Sequence, residues 1–194
     1  MPASARKTFI SPQEYLAIER AGEFKSEYYD GQMYAMSGAS LPHNRIVSNL
    51  AGELHGQLKG GPCEVLATDM RVALGQSTFV YPDLVIVCDE PQLLDDEFDT
   101  LLNPRVIIEV LSPSTEKWDR GGKFAQYQQI PSLRHYILIG QDAPVVERHD
   151  LQADDRWLAT DVPWPDGVLA LDSVGVVISL RNIYFRVFST THPT

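Results

Sequence analysis

The clearest pattern along the chain is an apolar stripe at four-residue spacing, Ile46, Leu50, Leu54 and Leu58, with Val47 beside it. It predicts an amphipathic helix from Pro42 to Leu58, stopped by Lys59-Gly60-Gly61-Pro62. Upstream, Ser11-Pro12-Gln13-Glu14 opens a short helix to about Glu19, with Ser11 as N-cap, Pro12 at the first helical position and Glu14 completing a capping box. The segment Lys25 to Met36 alternates around Asp30-Gly31 and reads as a hairpin. Strands follow at Glu64 to Thr68, continuing to Leu74, then at Phe79 to Cys88 and Arg105 to Leu111. After the breaker Ser112-Pro113-Ser114-Thr115, Phe124, Tyr127 and Ile130 give an apolar side to a helix from Lys117 to Gln129, weakened by Gly121-Gly122. His135 to Ile139 is a further strand, and Val145 to His149, Trp157 to Thr160 and Val168 to Leu180 read as short strands with polar turns. With no repeat, low-complexity run or linker, the pattern predicts one domain over 1–194, with a core at about 11–140 and a C-terminal β extension at about 141–190. A helix lying between strands that read as buried on both faces predicts an α/β (α+β) fold with a central mixed β-sheet flanked by helices.

Two acids break this pattern. Glu109 sits in Val106-Ile107-Ile108-Glu109-Val110-Leu111, and Asp83 sits in the otherwise apolar run Phe79 to Val87. A carboxylate among buried strand residues costs several kcal/mol unless it is paired or binds a metal. A helix returning over the sheet starts near the end of the strand it follows, so Asp119 and Lys123, four residues apart and on one helix face, come back toward Glu109. Two carboxylates with a lysine suit phosphodiester hydrolysis. The acids hold Mg²⁺ or Mn²⁺ through hard oxygen ligands, and the lysine positions water or offsets charge on the phosphate. Without a metal the two acids repel, and one keeps its proton.

The 194 residues can bury a sizeable core, and 44% hydrophobic with 22% charged residues is ordinary for a globular protein. No apolar stretch approaches a membrane span, and Met1 to Thr8 does not read as a secretory signal, so a cytoplasmic protein is expected. The formal net charge of −10 argues against a protein that coats nucleic acid. It does not exclude a nuclease, because part of the acid excess lies in Asp89 to Asp99, which reads as solvated surface, while Lys117, Arg120 and Lys123 cluster beside the candidate site. Cys63 and Cys88 form no metal or redox motif and read as two buried thiols.

At Tyr81-Pro82-Asp83, Ile108-Glu109-Val110-Leu111-Ser112-Pro113-Ser114-Thr115 and Asp119-Arg120-Gly121-Gly122-Lys123-Phe124-Ala125-Gln126-Tyr127, with Glu27-Tyr28-Tyr29-Asp30-Gly31 and His43 earlier, the chain resembles the Uma-two-type restriction endonucleases of the PD-(D/E)xK nuclease superfamily. The resemblance spans about Ser11 to Ile139 and implies a restriction-endonuclease-like core. It also implies Asp83 and Glu109 as metal ligands, a Mg²⁺ or Mn²⁺ cofactor, DNA as substrate and a homodimer. The superfamily pattern places a lysine two residues after the second acid, where this chain has Leu111. Lys123 in the following helix would be its replacement. Gly140 stands where relatives often carry an aspartate.

Each residue also has a structural reading. Asp83 could cap a strand end or pair with Arg71 or Arg105, and Glu109 could likewise be structural. Lys123 could be a solvated helix lysine, and Asp119 a helix N-terminal acid favoured by the dipole. Glu27 completes the metal site or pairs with a nearby cation, and His43 touches the site or only caps its helix. Ser112 and Ser114 set the turn. His55, His135, His149 and His192 read as structural or exposed, and Trp157 and Trp164 as packing residues. Two other functions compete with a DNA endonuclease: a non-catalytic nucleic-acid- or partner-binding module, and a homo-oligomeric scaffold joined through the apolar C-terminal strands.

Overall fold

The computed structural model describes residues 9–188. The expected reading of Met1 to Thr8 and of His192 lies outside these residues. The elements run in order α1 (Pro12–Ala21), β1 (Ser26–Tyr29), β2 (Gln32–Ala35), α2 (Leu41–Leu58), β3 (Cys63–Ala67), β4 (Arg71–Ala73), β5 (Thr78–Val80), β6 (Leu84–Cys88), β7 (Thr100–Leu101) and β8 (Val106–Leu111). Then come α3 (Glu116–Trp118), a π-helical turn (Asp119–Lys123), α4 (Phe124–Tyr127), β9 (His135–Gly140), β10 (Val146–Leu151), β11 (Trp157–Val162), β12 (Val168–Leu171), β13 (Val176–Ser179) and α5 (Leu180–Ile183).

A six-stranded mixed sheet ordered β11-β10-β9-β8-β6-β3 forms the centre, and β8 and β9 are its parallel pair. A second sheet runs β2-β1-β5-β4-β7, and β12 and β13 form a separate hairpin. The alternation of side chains along a strand divides the core into two layers. Val106, Ile108 and Val110 of β8 join Leu84, Ile86, Ile137 and Ile139 on the face covered by Ile46, Leu50, Leu54 and Leu58 of α2. Ile107 and Leu111 point the other way, with Val85, Val87, Tyr136 and Leu138, toward Tyr127 and toward Val72, Val80 and Leu101 of the second sheet. The α2 stripe predicted from spacing is therefore the lid of the first layer. Ser11 caps α1 with the expected box: its hydroxyl accepts from the Glu14 amide at 3.2 Å and its amide donates to the Glu14 carboxylate at 2.8 Å.

The expected strand Phe79 to Cys88 is two strands in two sheets, divided at Tyr81-Pro82-Asp83. Pro82 has no amide hydrogen to give to a ladder, so pairing stops there. The run from Glu64 to Leu74 divides in the same way between β3 and β4, with Asp69 in the left-handed region (φ 84°). The helix Lys117 to Gln129 is shorter than expected and is broken by the π-helical turn at Asp119-Arg120-Gly121-Gly122-Lys123. The acidic loop is not wholly solvated surface. Asp95 and Asp99 bind Arg20 at 2.8 Å, and Asp99 also meets the buried Arg71 at 2.5 Å. Hydrogen bonds from Arg20, then Arg71, hold the Asp99 carboxyl well below the usual range against its partial burial.

The C-terminal hairpin turns one apolar face inward: Leu169, Leu171, Val176 and Ile178 pack inside the first layer against α2, while Val168 and Val177 on its other face are exposed. Among the described residues no helix is long and apolar enough to cross a membrane.

The two cysteines are not thiols. They face each other across the β3–β6 pair and form a disulfide, closing a segment 25 residues long. A cross-link of that loop length stabilises by about 2–4 kcal/mol. Urea denaturation should show the Cys63→Ser, Cys88→Ser variant less stable by that amount, and wild type should fall to the same value when reduced. A wild type whose midpoint ignores reductant would mean that the pair is not cross-linked.

Candidate active site

The site lies on the second face of the central sheet, where the two sheets and the broken helix meet. Glu109 projects to that face because its neighbours Ile108 and Val110 project to the other. Antiparallel pairing sets Leu84 against Ile108, and the register carried one residue further sets Asp83 against Glu109. Directly opposed residues have Cβ atoms roughly 5 Å apart. β6 begins only after Pro82, and the Asp83 side chain supplies the acceptor that the ladder lacks there: its Oδ2 takes the Val110 amide at 2.7 Å. Its Oδ1 faces His43 Nε2 at 2.9 Å. Asp83 thus caps a strand end and reaches the site as well. It pairs with neither Arg71 nor Arg105, the two partners considered from sequence. Arg71 instead binds Thr100, Tyr81 and Asp99.

Lys123 is the centre of the arrangement and is 4% exposed, not a solvated helix lysine. Its Nζ lies 2.9 Å from Glu27 Oε1, 2.9 Å from Glu109 Oε1 and 3.7 Å from Asp119 Oδ1. Burial works against its charge. Glu109, Glu27 and Asp119 together outweigh that, and hold the ammonium protonated well above its usual range. Asp119 is not an exposed N-terminal acid. It lies within the helical segment, is buried, and burial raises its pKa despite Lys123 and a hydrogen bond from Thr115. Glu27, from β1, takes both the lysine and the Tyr81 amide, the latter at 3.2 Å. His43, in the first turn of α2, gives its amide to the Ser40 cap, and its ring faces Asp83, so it does more than end its helix. Asp83, Glu109, Lys123, Glu27, His43 and Asp119 therefore converge on one site from separate parts of the chain: β1, α2, β8, the π-helical turn and the joint between β5 and β6.

Some members carry no obvious signal in the sequence. The Tyr127 hydroxyl donates to Glu109 Oε1 at 2.8 Å, although Tyr127 reads as an apolar helix residue. Its position four residues after Lys123, on the same helix face, is the available clue. The amides of Val110 and Tyr81 act as donors that side-chain patterns do not reveal. Gly122 is required by close approach: a Cβ there would overlap the Trp118 ring, which itself packs edge-on against Tyr29 at 4.8 Å. The histidines His135 and His149 are structural as expected, at 2.6 Å from Asp150 and 2.5 Å from Glu147. Trp157 and Trp164 pack on Phe124 and Tyr184.

Four carboxyl groups share one lysine and one histidine here, and the negative excess falls on Glu109. Burial, with Asp119, Asp83 and Glu27 adding repulsion and Lys123 opposing, pushes Glu109 from 4.5 up to about 8. A folded-state pKa above the unfolded one means that the proton on Glu109 stabilises the metal-free fold. That contribution is full below about pH 4.5 and is lost as pH rises through about 8. Denaturation in chelator at pH 5, 7 and 9 should show wild type losing stability over this interval relative to Glu109→Gln, which keeps a neutral side chain throughout. Parallel curves for the two proteins would show that Glu109 ionises normally.

Known proteins share this architecture. A crystal structure described as that of a putative nuclease belonging to DUF820, from Anabaena variabilis ATCC 29413, superposes with a TM-score of 0.77 at 17% identity, covering 92% of this chain and 99% of that one. It shows that the fold is shared, and the fold class is the restriction-endonuclease-like one expected. Two proteins of Synechocystis sp. are similar over most of their length. Uncharacterized protein slr1290 is 35% identical over 176 residues (90% of this chain, 91% of that one), and uncharacterized protein sll1609 is 34% identical over 163 residues (84% and 92%). The family model described as "Uma2: Putative restriction endonuclease" matches residues 12–181, and the chain belongs to that family.

Proposed function

We propose that the protein is a metal-dependent endonuclease that hydrolyses phosphodiester bonds in DNA, with Asp83 and Glu109 as the metal ligands. The observation that carries this reading is the convergence on one sheet face of these two acids with Lys123, whose Nζ lies 2.9 Å from Glu109. The membership of a nuclease family supports the reaction class.

The donor set fits a hard divalent cation. All its candidate atoms are carboxylate oxygens, the class that Mg²⁺ and Mn²⁺ prefer. Among the described residues no group of three or more His, Cys, Asp or Glu side chains is placed to hold a metal ion by itself. Two carboxylates can hold Mg²⁺ only with water and substrate phosphate completing its shell. When bound, the ion would polarise the phosphoryl oxygen and lower the pKa of a coordinated water.

The chain's own residues do the rest. The Val110 amide and the His43 ring hold Asp83 through opposite oxygens, so the carboxylate is oriented before any ligand arrives. Glu109 would have to give up its proton to hold a cation, whose charge would then replace the compensation that the proton supplies. Lys123, held by Glu27 and Asp119 as well as by Glu109, would present an ammonium able to donate to a non-bridging phosphate oxygen. Tyr127 steadies Glu109, and Glu27 anchors Lys123 from the opposite side. Charge placed in advance in this way acts where negative charge grows in the transition state.

With Mg²⁺ or Mn²⁺, purified wild type should nick plasmid DNA. The Asp83→Ala, Glu109→Ala variant should lose all measurable nicking, and Lys123→Ala should be slower by about a hundred- to a thousandfold. Equal nicking by wild type and the double variant would place the activity elsewhere. Because one proton must leave Glu109, the Mn²⁺ affinity read from thermal melting should rise about tenfold per pH unit toward pH 8 and then level off. An affinity independent of pH between 6 and 8 would contradict that ligand assignment.

A further inference from the structure

We infer that the outer side of α2, together with the turn after α5, is a binding surface for a single-stranded segment of the nucleic acid flanking the cleaved bond. This rests on the nuclease reading above. It also uses residues that the reading leaves unassigned: Leu41, Asn44, Arg45 and Ser48 of α2, with Phe185 and Arg186, which line one shallow cavity.

Charge is the first argument. The chain carries a net −10, so a polyanion can approach only where cations are free of acidic partners. Most described basic side chains are committed: Arg20 to Asp95 and Asp99, Lys25 to Asp69, Arg71 to Asp99, Arg120 to Glu116 and Glu147, Arg148 to Asp150, Arg156 to Asp154 and Arg181 to Asp166. Among the described residues Lys59, Arg105, Lys117 and Arg134 also make no ion pair, but none of them lines this cavity; Arg45 and Arg186 do, and both are exposed. They are also neighbours, since Arg45 Nη1 donates to the Arg186 carbonyl at 2.8 Å. Two exposed arginines this close in space can each take a phosphate of one strand.

The second argument is apolar. Phe185 is 59% exposed and Leu41 is 63% exposed, and both line the cavity with this basic pair. The Arg186 guanidinium lies 5.3 Å from the Phe185 ring centre, so the ring is already part of a cationic surface. An exposed ring beside free guanidinium groups is the pattern of sites where unpaired bases stack while phosphates track the charge. Base pairs in a duplex keep their faces covered, which favours a single strand. The platform is held firmly: the Asn49 side chain donates to the carbonyls of Ile183 and Phe185, each at 2.9 Å.

Position is the third argument. His43, which faces Asp83, shares the first two turns of α2 with Leu41, Asn44 and Arg45. At about 1.5 Å rise per residue, the cavity starts within about one turn of the carboxylate site along the helix axis. At about 100° per residue Arg45 lies roughly 200° around the helix axis from His43, so a strand over Arg45 and Phe185 reaches a phosphate at Asp83 by passing around the start of α2.

The test is fluorescence anisotropy with a labelled oligothymidylate and with a hairpin duplex, in Ca²⁺ to hold cleavage down, alongside the nicking assay. Arg45→Ala, Arg186→Ala should weaken oligothymidylate binding at least tenfold. It should also reduce the salt slope by about 1.4, because each phosphate that is no longer neutralised lowers it by about 0.7. Phe185→Ala should weaken the single strand about tenfold and leave the duplex nearly unchanged. Circular dichroism and melting temperature should match wild type, since these side chains are exposed. Variants that bind as wild type does, while wild type still nicks DNA, would overturn the surface and leave the active-site reading intact. Equal loss of duplex and single strand in Phe185→Ala would overturn the single-strand assignment. Wild type that binds no oligonucleotide would overturn the surface outright. If instead the surface variants lose binding but Asp83→Ala, Glu109→Ala nicks as fast as wild type, the active-site reading fails and the surface stands.

Discussion

A single buried ammonium organises the junction between the two sheets. Lys123 is nearly sealed from solvent and touches acids from β1, β8 and its own helical turn. Removing one partner of such a buried group costs about 3–5 kcal/mol, because the remaining charge is left uncompensated. The compensation is also incomplete in the opposite sense. Asp83, Glu27, Glu109 and Asp119 outnumber the lysine, and burial of Glu109, with the repulsion of the other three acids added, keeps a proton on it. The pocket is thus short of positive charge, and the proton on Glu109 offsets part of that shortage.

Two irregularities make that convergence possible, and both come from residues that cannot continue regular structure. At Pro82 the ladder ends, and the chain crosses from the second sheet to the central one. Asp83 therefore falls at a joint where its carboxylate can leave the strand and take the Val110 amide. At Gly121-Gly122 the helix widens into a π-helical turn, a form that occurs mainly as local bulges at functional positions. The missing Cβ of Gly122 is where Trp118 lies, so the widened turn is packed rather than loose. Uninterrupted elements would be better strand and helix, but they would put these side chains elsewhere.

Much of the fold was readable from hydrophobic spacing. Ile46, Leu50, Leu54 and Leu58 announce α2, and Ser11 with Glu14 announces α1, because capping and period act locally. Glu109 was also readable, since an acid in an unbroken β-branched run has few explanations. The division of Phe79 to Cys88 was not read, although Pro82 stood in it, because which sheet each half joins depends on distant strands. The disulfide is not legible for the same reason: Cys63 and Cys88 become neighbours only through the β3–β6 register. The role of Tyr127 was hidden because a tyrosine serves equally as packing and as donor. Only the direction of its hydroxyl separates the two uses.

A polyanionic substrate and a chain of net −10 look mismatched only if charge is summed over the whole surface. At about 0.15 M ionic strength charges are screened beyond about 8 Å, so a nucleic acid responds to what lies within a few residues of its path. The acidic loop spends Asp95 and Asp99 internally on Arg20 and Arg71, which removes part of its field. Lys123 is neutralised by the site's own acids until a ligand changes that balance. The free guanidinium groups of Arg45 and Arg186 then set the local sign near the first turns of α2. On the proposed reading, nucleic acid meets exposed, unpaired arginines at the same end of α2 that carries His43 and faces Asp83.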